Sequence, residues 1–398
     1  MTFSKRVLNI EASATVSAFA RAGELKRQGV DLISLVAGEP DFDTPPNIKE
    51  AAICAIREGR TKYTNPASGI PELKQAICNK LKRDNALHYD PSQIIVTCGA
   101  KQTIFDAIVV LIEEGDEAII PSPYWTSYAD QVKLMSGTPV IVPTNKRNGF
   151  CMTALQLQQA ITPRTKFVLF NSPCNPTGAV YTKENLKAFA DVIAEAGIYI
   201  IADEIYEKLL YDGSEHVSIA SLHPDLPQRT LTVNGLSKAY AMTGWRVGYG
   251  AGPKDLIQLM IKVQSQETTN TCTISQYAAI EALNGPQDSV EVMRQAFQQR
   301  RHQIVDRLNT IPNFQCDLPQ GAFYVFPDVT QLFGKSCTWG TLKNDIDVCN
   351  FLLDEARVAC VPGVGFGAPG YLRFSYAAAT EQITIAMDRI EEAISKLS

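Results

Sequence analysis

The chain predicts an α/β fold, with a mostly parallel central sheet in a large domain and a smaller α+β domain beside it. Three observations lead there. Short apolar runs alternate with helical patterns through the middle of the chain. That alternation stops after about Gly285, and the length of 398 residues exceeds what one hydrophobic core usually supports.

Taken in order, Met1 to Gly23 carries Lys5 and Arg6 followed by small residues, but Asn9 and Glu11 interrupt any apolar core. No run approaches the ~18 apolar residues of a membrane span, so neither a secretion signal nor a membrane partner is expected. Ile94–Thr97, Ala118–Ile120, Phe167–Phe170, Ile198–Ala202 and Thr230–Val233 are apolar enough to be strands buried on both faces. Helical patterns such as Thr103–Glu113 and Lys183–Glu195 lie between several of them. The polar residues of interest in this region follow such runs, and would gather at the carboxyl edge of the sheet, where open α/β folds bind ligands. Beyond Gly285 come a long polar helix, Ser289–Leu308, a strand over Gly321–Phe326 and a final helix from Glu381. The Pro/Gly-rich stretches Gly38–Pro46 and Val361–Gly370 are expected to be ordered loops, since no repeat, low-complexity tract or flexible tether is present.

Composition narrows the function. Basic and acidic residues number 37 and 42, a formal charge of −5, with no basic block to neutralise a run of phosphates, so nucleic acid is not an expected partner. The ten cysteines are scattered without a C-x-x-C pair, and His88, His216, His223 and His302 are too dispersed to suggest zinc. No metal is expected, and the thiols are those of a reduced, cytoplasmic protein.

One segment carries most of the chemistry. Ser237-Lys238-Ala239-Tyr240-Ala241-Met242-Thr243-Gly244-Trp245-Arg246 presents a hydroxyl, an amine and a guanidinium close together. That set suits an aldehyde cofactor bearing a phosphate: a lysine amine can form an imine with pyridoxal phosphate, while Ser237 and Arg246 hold the phosphate. Gly99-Ala100-Lys101 lies between a strand and a helix, as a plain turn or as an anion site at the helix N-terminus. Gly363-Val364-Gly365-Phe366-Gly367-Ala368 and Gly248-Tyr249-Gly250-Ala251-Gly252 imitate a dinucleotide fingerprint, but Pro369 and Pro253 follow where a helix must start. Neither is such a site.

Asp203, ending an apolar strand, either caps a helix or pairs with a protonated pyridine nitrogen, and Tyr206 would then donate to the ring's phenolic oxygen. Asn175, in the loop Asn171-Ser172-Pro173-Cys174-Asn175-Pro176-Thr177-Gly178, serves a turn or bonds that same oxygen. Trp125 is core or a stacking face. Arg373, alternating with apolar residues, belongs to a solvated strand face or grips a carboxylate with its planar fork.

Together these stretches resemble the fold-type I, class I aminotransferases, most closely the bacterial aspartate aminotransferase branch. The likeness runs from Ala12-Ser13-Ala14-Thr15 through Gly38-Glu39-Pro40-Asp41-Phe42, Lys62-Tyr63, Asn171–Gly178, Ala202–Tyr206, the lysine segment and Arg373. It implies a pyridoxal-phosphate domain over residues 45–285 and a small domain from 1–44 and 286–398. It makes Lys238 the Schiff-base lysine, Asp203 the pyridinium partner, Asn175 and Tyr206 the phenolate ligands and Trp125 the stacking ring. Gly99, Ala100, Lys101, Ser237 and Arg246 would surround the phosphate, joined by Tyr63 from the other subunit of a homodimer with shared active sites. Gly38 and Arg373 would take the substrate α-carboxylate, and Lys101, Ser13 and Thr15 its side-chain carboxylate. The peptide bonds before Pro123 and Pro176 should be cis.

The implied reaction is ping-pong transfer of an amino group between an amino acid and a 2-oxo acid, foremost aspartate with 2-oxoglutarate. Glu11 departs from relatives with a basic residue there. A kynurenine-type, aromatic or prephenate aminotransferase and a β-lyase share the same cofactor residues. A cofactor-sensing regulator is the remaining alternative, though the likeness begins within the first dozen residues, where such proteins add a DNA-binding domain.

Overall fold

The computed structural model describes residues 3–10, 14–338 and 340–398, with the side chain of Ala14 excepted. Glu11 and Ser13 therefore lie outside the described residues.

A seven-stranded sheet occupies the centre, in the spatial order 94–97, 248–251, 230–235, 199–203, 165–171, 117–122, 138–143. Only the strand Gly248–Ala251 runs against the others; it pairs antiparallel with both of its neighbours. The remaining pairs are parallel, as the buried apolar runs predict. Ile94–Thr97, Glu117–Ser122 and Thr230–Gly235 are buried at every position, which is the cost-free arrangement only for strands covered by helices on both faces.

The helices are those the periodicity anticipates. Ala100–Leu111 follows the first sheet strand and Lys183–Ala196 follows the fourth in sequence, opened by a capping box in which Thr182 and Asn185 satisfy each other's backbone donors and closed by Gly197 in the left-handed region. Two strands of this sheet were not foreseen. Thr138–Pro143 is a half-exposed edge strand with a proline at each end of its apolar part, and Gly248–Ala251 reads as a glycine-rich turn in isolation. The strand expected over Gly321–Phe326 is shorter, Tyr324–Val325, with Gly321 joined to Leu210 only by a single bridge.

The later part of the chain forms its own core. Helices Asp288–Thr310 and Thr380–Ser395 pack with the three-stranded antiparallel sheet of Tyr324–Val325, Leu372–Ser375 and Val361–Pro362, around Phe297, Phe323, Phe374 and Met387. Ile33 and Leu35 enter this core from the N-terminal side, through a parallel pairing of Ile33–Ser34 with Val358–Ala359. Tyr206 and Leu209, which follow the strand Tyr199–Asp203, belong to it as well, so the carboxyl edge of the large sheet is where the two cores meet.

Gly248 decides how closely that edge can be built. A Cβ there would overlap the backbone of Gly99 and Ala100, the turn that opens helix Ala100–Leu111. Gly248→Ala should therefore lower the midpoint of urea unfolding by the equivalent of about 1–3 kcal/mol, as overpacking against rigid backbone does. An unchanged midpoint would show that the turn yields at no cost.

Candidate active site

The strand ends deliver the chemistry. Asn171 and Asp203 are the last residues of adjacent parallel strands and stand in register. Asn171 Nδ2 donates to the Asp203 carbonyl at 2.8 Å, and its Oδ1 accepts the N–H of Asn175 at 2.7 Å, which pins the loop carrying Asn175 to the sheet. The peptide bonds before Pro123 and Pro176 are both cis, as are those before Pro66 and Pro173. Trp125 follows the first of these loops and Ser237 with Lys238 follow the strand Thr230–Gly235.

These groups line one cavity of about 440 Å³, a size that suits a small organic ligand. Lys238 lies on its wall, its Nζ donating to the carbonyl of Gly38 and standing 5.9 Å from the ring centres of Tyr206 and Phe323. Burial strips water from the ammonium and brings its pKa down to about 8, against the pull of Glu39. Asp203 is buried too. Desolvation raises its carboxyl to about 6, although it accepts hydrogen bonds from Tyr128 Oη at 2.6 Å and from the Ile205 N–H at 3.2 Å. It does not cap a helix; turns follow it.

Arg373 settles between its two readings by position. It is 1% exposed, on the strand Leu372–Ser375, so it faces no solvent. Nη1 donates to Asn175 Oδ1 at 2.9 Å and Nη2 to the Val36 carbonyl at 2.7 Å, while Nε has no partner among the described residues. The guanidinium lies 4.5 Å from the centre of the Tyr324 ring and 5.1 Å from that of Phe366. Within the described residues it makes no ion pair, and a buried cation held only by neutral acceptors is an incomplete arrangement that an incoming carboxylate would complete.

Also on the cavity lining, Ala100 and Lys101 open a helix whose first N–H groups have no intrahelical acceptor. Gly99 takes φ +85° and stands directly behind Arg246, so that any side chain there would collide with the guanidinium. Arg246, itself in the left-handed region, is fixed by donating to the Thr243 carbonyl at 2.9 Å and the Cys98 carbonyl at 3.3 Å. Lys101 Nζ lies 4.7 Å over the Trp125 ring, and burial, then the charge of Arg246, lowers its pKa. Thr15 Oγ1 is buried without a hydrogen-bond partner among the described residues.

The cavity thus gathers Gly38, Ala100, Lys101, Trp125 and Asn175 with Asp203, Tyr206, Ser237, Lys238, Arg246, Arg373 and Thr15. Tyr63 is not among them: it is 83% exposed. Sequence reasoning missed Tyr324, whose hydroxyl is 2.9 Å from that of Tyr206 and would sit 2.8 Å from a Cβ on Gly38, and Tyr128, the donor to Asp203. It also named Glu39 only inside a motif, although Glu39 lines the cavity and accepts from Thr243 Oγ1 at 2.9 Å. An orphaned threonine hydroxyl, a buried arginine awaiting a carboxylate, a cationic helix start and a buried acid and amine make a donor set that fits pyridoxal phosphate with an amino acid beside it.

Comparison with known proteins agrees. The family model "Aminotransferase class I and II" matches residues 30–390. The aspartate aminotransferase of Geobacillus stearothermophilus is 50% identical over 390 residues, 98% of each chain, and the aspartate/prephenate aminotransferase of Cereibacter sphaeroides is 48% identical over 99% of each. The crystal structure of the aspartate aminotransferase from Rhizobium meliloti superposes over the whole of both chains with a TM-score of 0.96 at 46% identity. On fold, cavity and kinship alike, the chain belongs to the class I and II aminotransferases, enzymes that work with pyridoxal phosphate.

Proposed function

We propose that the enzyme exchanges an amino group between L-aspartate and 2-oxoglutarate, giving oxaloacetate and L-glutamate by a ping-pong route. The observation that carries this is one cavity lined by Arg373, whose guanidinium has no ion-pair partner among the described residues, together with Lys101 and the Thr15 hydroxyl, which has no hydrogen-bond partner among them. Such a site matches an acid with two carboxylates. The names of the relatives, aspartate and aspartate/prephenate aminotransferase, support it.

Bound pyridoxal phosphate supplies an electron sink that eases heterolysis of the amino acid's Cα–H bond. Ala100, Lys101, Ser237 and Arg246 would hold its phosphate, with Gly99 giving Arg246 room. Asp203 would keep a proton on the ring nitrogen, Asn175 and Tyr206 would face the phenolic oxygen, and Trp125 would cover the ring. Lys238 Nζ, neutral above a pH of about 8, would accept the Cα proton and give it up again within the same half-reaction, which frees it to repeat the transfer in the second. Arg373 and Gly38 would orient the α-carboxylate, and the rings of Tyr206 and Phe323, each 5.9 Å from Lys238 Nζ, give the amine an apolar side. Ser13 is retained as a side-chain carboxylate contact by resemblance alone.

We further propose a homodimer. The exposure of Tyr63 suits a residue that completes a second copy's phosphate site rather than its own. A large domain over 45–285 and a small one over 1–44 and 286–398 accord with the separate hydrophobic cores. A cytoplasmic location is supported by ten cysteines without a disulfide. No helix among the described residues is long and apolar enough to cross a membrane.

Purified enzyme should use L-aspartate with a kcat/KM at least about tenfold above L-alanine or L-phenylalanine, some 1.4 kcal/mol of transition-state preference. Equal efficiencies would move the assignment to a broad or aromatic aminotransferase, and a larger value with prephenate as acceptor than with 2-oxoglutarate would move it to the prephenate type.

The pKa of Asp203 gives a second expectation. Its carboxylate must be ionised to face a pyridinium, and it takes up a proton as pH falls through about 6. Affinity of the apoprotein for pyridoxal phosphate, followed by absorbance, should therefore be lower at pH 5 than at pH 7.5 by up to about tenfold. Asp203→Asn should bind more weakly at pH 7.5 and lose that step; retention of the step would assign it elsewhere.

Shared sites can be tested by mixing. Lys238→Ala should be inactive and Tyr63→Ala impaired, yet reassorted heterodimers would contain one intact site, so activity should recover to about a quarter of the wild-type sites. Absence of recovery from heterodimers would rule out a contribution of Tyr63 across the interface.

A further inference from the structure

The segment that leaves the 199–203 strand has two working sides. Asp203 and Tyr206 face the cavity, whereas Glu204 and Glu207, each one residue later, are buried on the other side. There Glu207 Oε1 takes the Nζ of Lys80, and its Oε2 accepts Asn85 Nδ2 at 2.7 Å. Lys80 also donates to Asn85 Oδ1 at 2.7 Å. Glu204 Oε2 accepts the Ser218 hydroxyl and lies 3.0 Å from His216 Nε2. Glu204, Glu207 and His216 place donor atoms within 4.8 Å of one another, as a metal site would. Lys80 already provides a cation against Glu207, so the protein's own ammonium fills that role.

Glu204 is different, because His216 is its one ion-pair partner among the described residues. We propose that His216, as an imidazolium held against Glu204, is a positioning residue that fixes the turn bearing Asp203 and Tyr206 and offsets the Glu204 charge at Asp203. This rests on the reading of Asp203 and Tyr206 as the groups that face the cofactor ring. Four observations support it. The pairing is buried, it lies one residue from Asp203, the Glu204 N–H is tied to the Val233 carbonyl at 2.9 Å, and the Glu207 N–H returns to the Glu204 carbonyl at 2.9 Å. The turn is thus gripped from behind at both carboxylates.

The charges facing His216 favour the cation. Burial opposes the imidazolium, but the charge of Glu204 at 3.0 Å and then that of Glu207 outweigh burial and the repulsion of Lys80, and the pKa rises. Asp84, held by Lys208 at 2.8 Å, lies beyond Lys80, and the phenols of Tyr89, Tyr240 and Tyr249, all pushed to higher pKa by burial, remain neutral. A raised pKa means that the pairing contributes fully below the ordinary histidine value and is lost as pH rises through the raised one. Loss exposes Asp203 to the uncompensated charge of Glu204, which already acts to raise its pKa.

The test uses holoenzyme without amino acid. The pH titration of the bound chromophore's absorbance is compared for wild type, His216→Gln, Glu204→Gln and the double variant. His216→Gln should shift the midpoint upward by at least about half a pH unit, a threefold change in proton affinity. Removing the Glu204 charge as well should bring it back towards wild type. A His216→Gln midpoint unmoved from wild type, with only a lower melting temperature, would leave His216 a purely structural residue and overturn the proposal, as would a double variant that stays with the single one. In wild type, the 15N NMR titration of the His216 imidazole should have its midpoint above about 6.5; a midpoint at or below that value also overturns it, whether or not the variants fold. A protein that binds no chromophore at any pH would instead fail the reading of Asp203, and the imidazole titration would still judge the His216–Glu204 pair.

Discussion

Everything in this active site follows from burying an amine and a carboxyl on the wall of one cavity. Burial drives Lys238 down to about 8 and Asp203 up to about 6, each towards the neutral form that low polarity prefers. Separately either shift would be a defect. Together they leave a lysine able to exchange protons near neutral pH and an acid that becomes a strong partner for a cation on a heteroaromatic ring. The surrounding structure maintains the enclosure: the large sheet ends against the second core at Tyr206, Phe323 and Tyr324, and Tyr128 and the Ile205 N–H hold the Asp203 oxygens at fixed positions.

The same logic explains why polar groups on the cavity wall are left incomplete. A protein interior normally satisfies its hydrogen-bonding groups, and among the groups of the described residues that depart from that habit, Arg373, Thr15 and the start of helix Ala100–Leu111 share one cavity. Their unmet demand has a sign. Arg373 and the helix start both ask for anions within one cavity, as an anionic cofactor and an anionic substrate require. Glycine is used where such groups need proximity to backbone: Gly99 lets Arg246 lie against the turn, and Gly38 lets the Tyr324 hydroxyl approach within van der Waals reach of the chain.

How much of this was legible depended on whether the signal was local. The five buried strands were readable because burial on both faces forces uninterrupted apolar runs, and Lys238, Asp203, Asn175 and Arg246 were readable because they follow those runs in short segments. Thr138–Pro143 was not, since an edge strand carries prolines and exposed positions, nor was Gly248–Ala251, whose glycines answer to the backbone of Gly99 and Ala100 rather than to strand propensity. Tyr324 and Tyr128 were invisible for another reason. Each looks like a core aromatic in sequence, and only packing of distant elements brings their hydroxyls to Tyr206 and Asp203. Arg373 had the right identity but an ambiguous environment, which depth alone resolves.

Glu39 refines the view of substrate charge. It lies in the cavity with Lys101 and Arg373 and is held by Thr243, so the cavity is not uniformly positive. Its charge acts to raise the Lys238 pKa, opposing the desolvation that lowers it. The amine therefore stands between Glu39 and Asp203 on the acidic side and Arg246 and Arg373 on the basic side, and its proton affinity is the resultant of both. A dicarboxylic ligand would add two negative charges, one of them against Arg373. Neutralising that guanidinium removes a charge that now lowers the Lys238 pKa, and substrate binding should thereby make the amine more basic at the stage when it has to take a proton from carbon. Substrate charge and base strength are coupled through the same arginine.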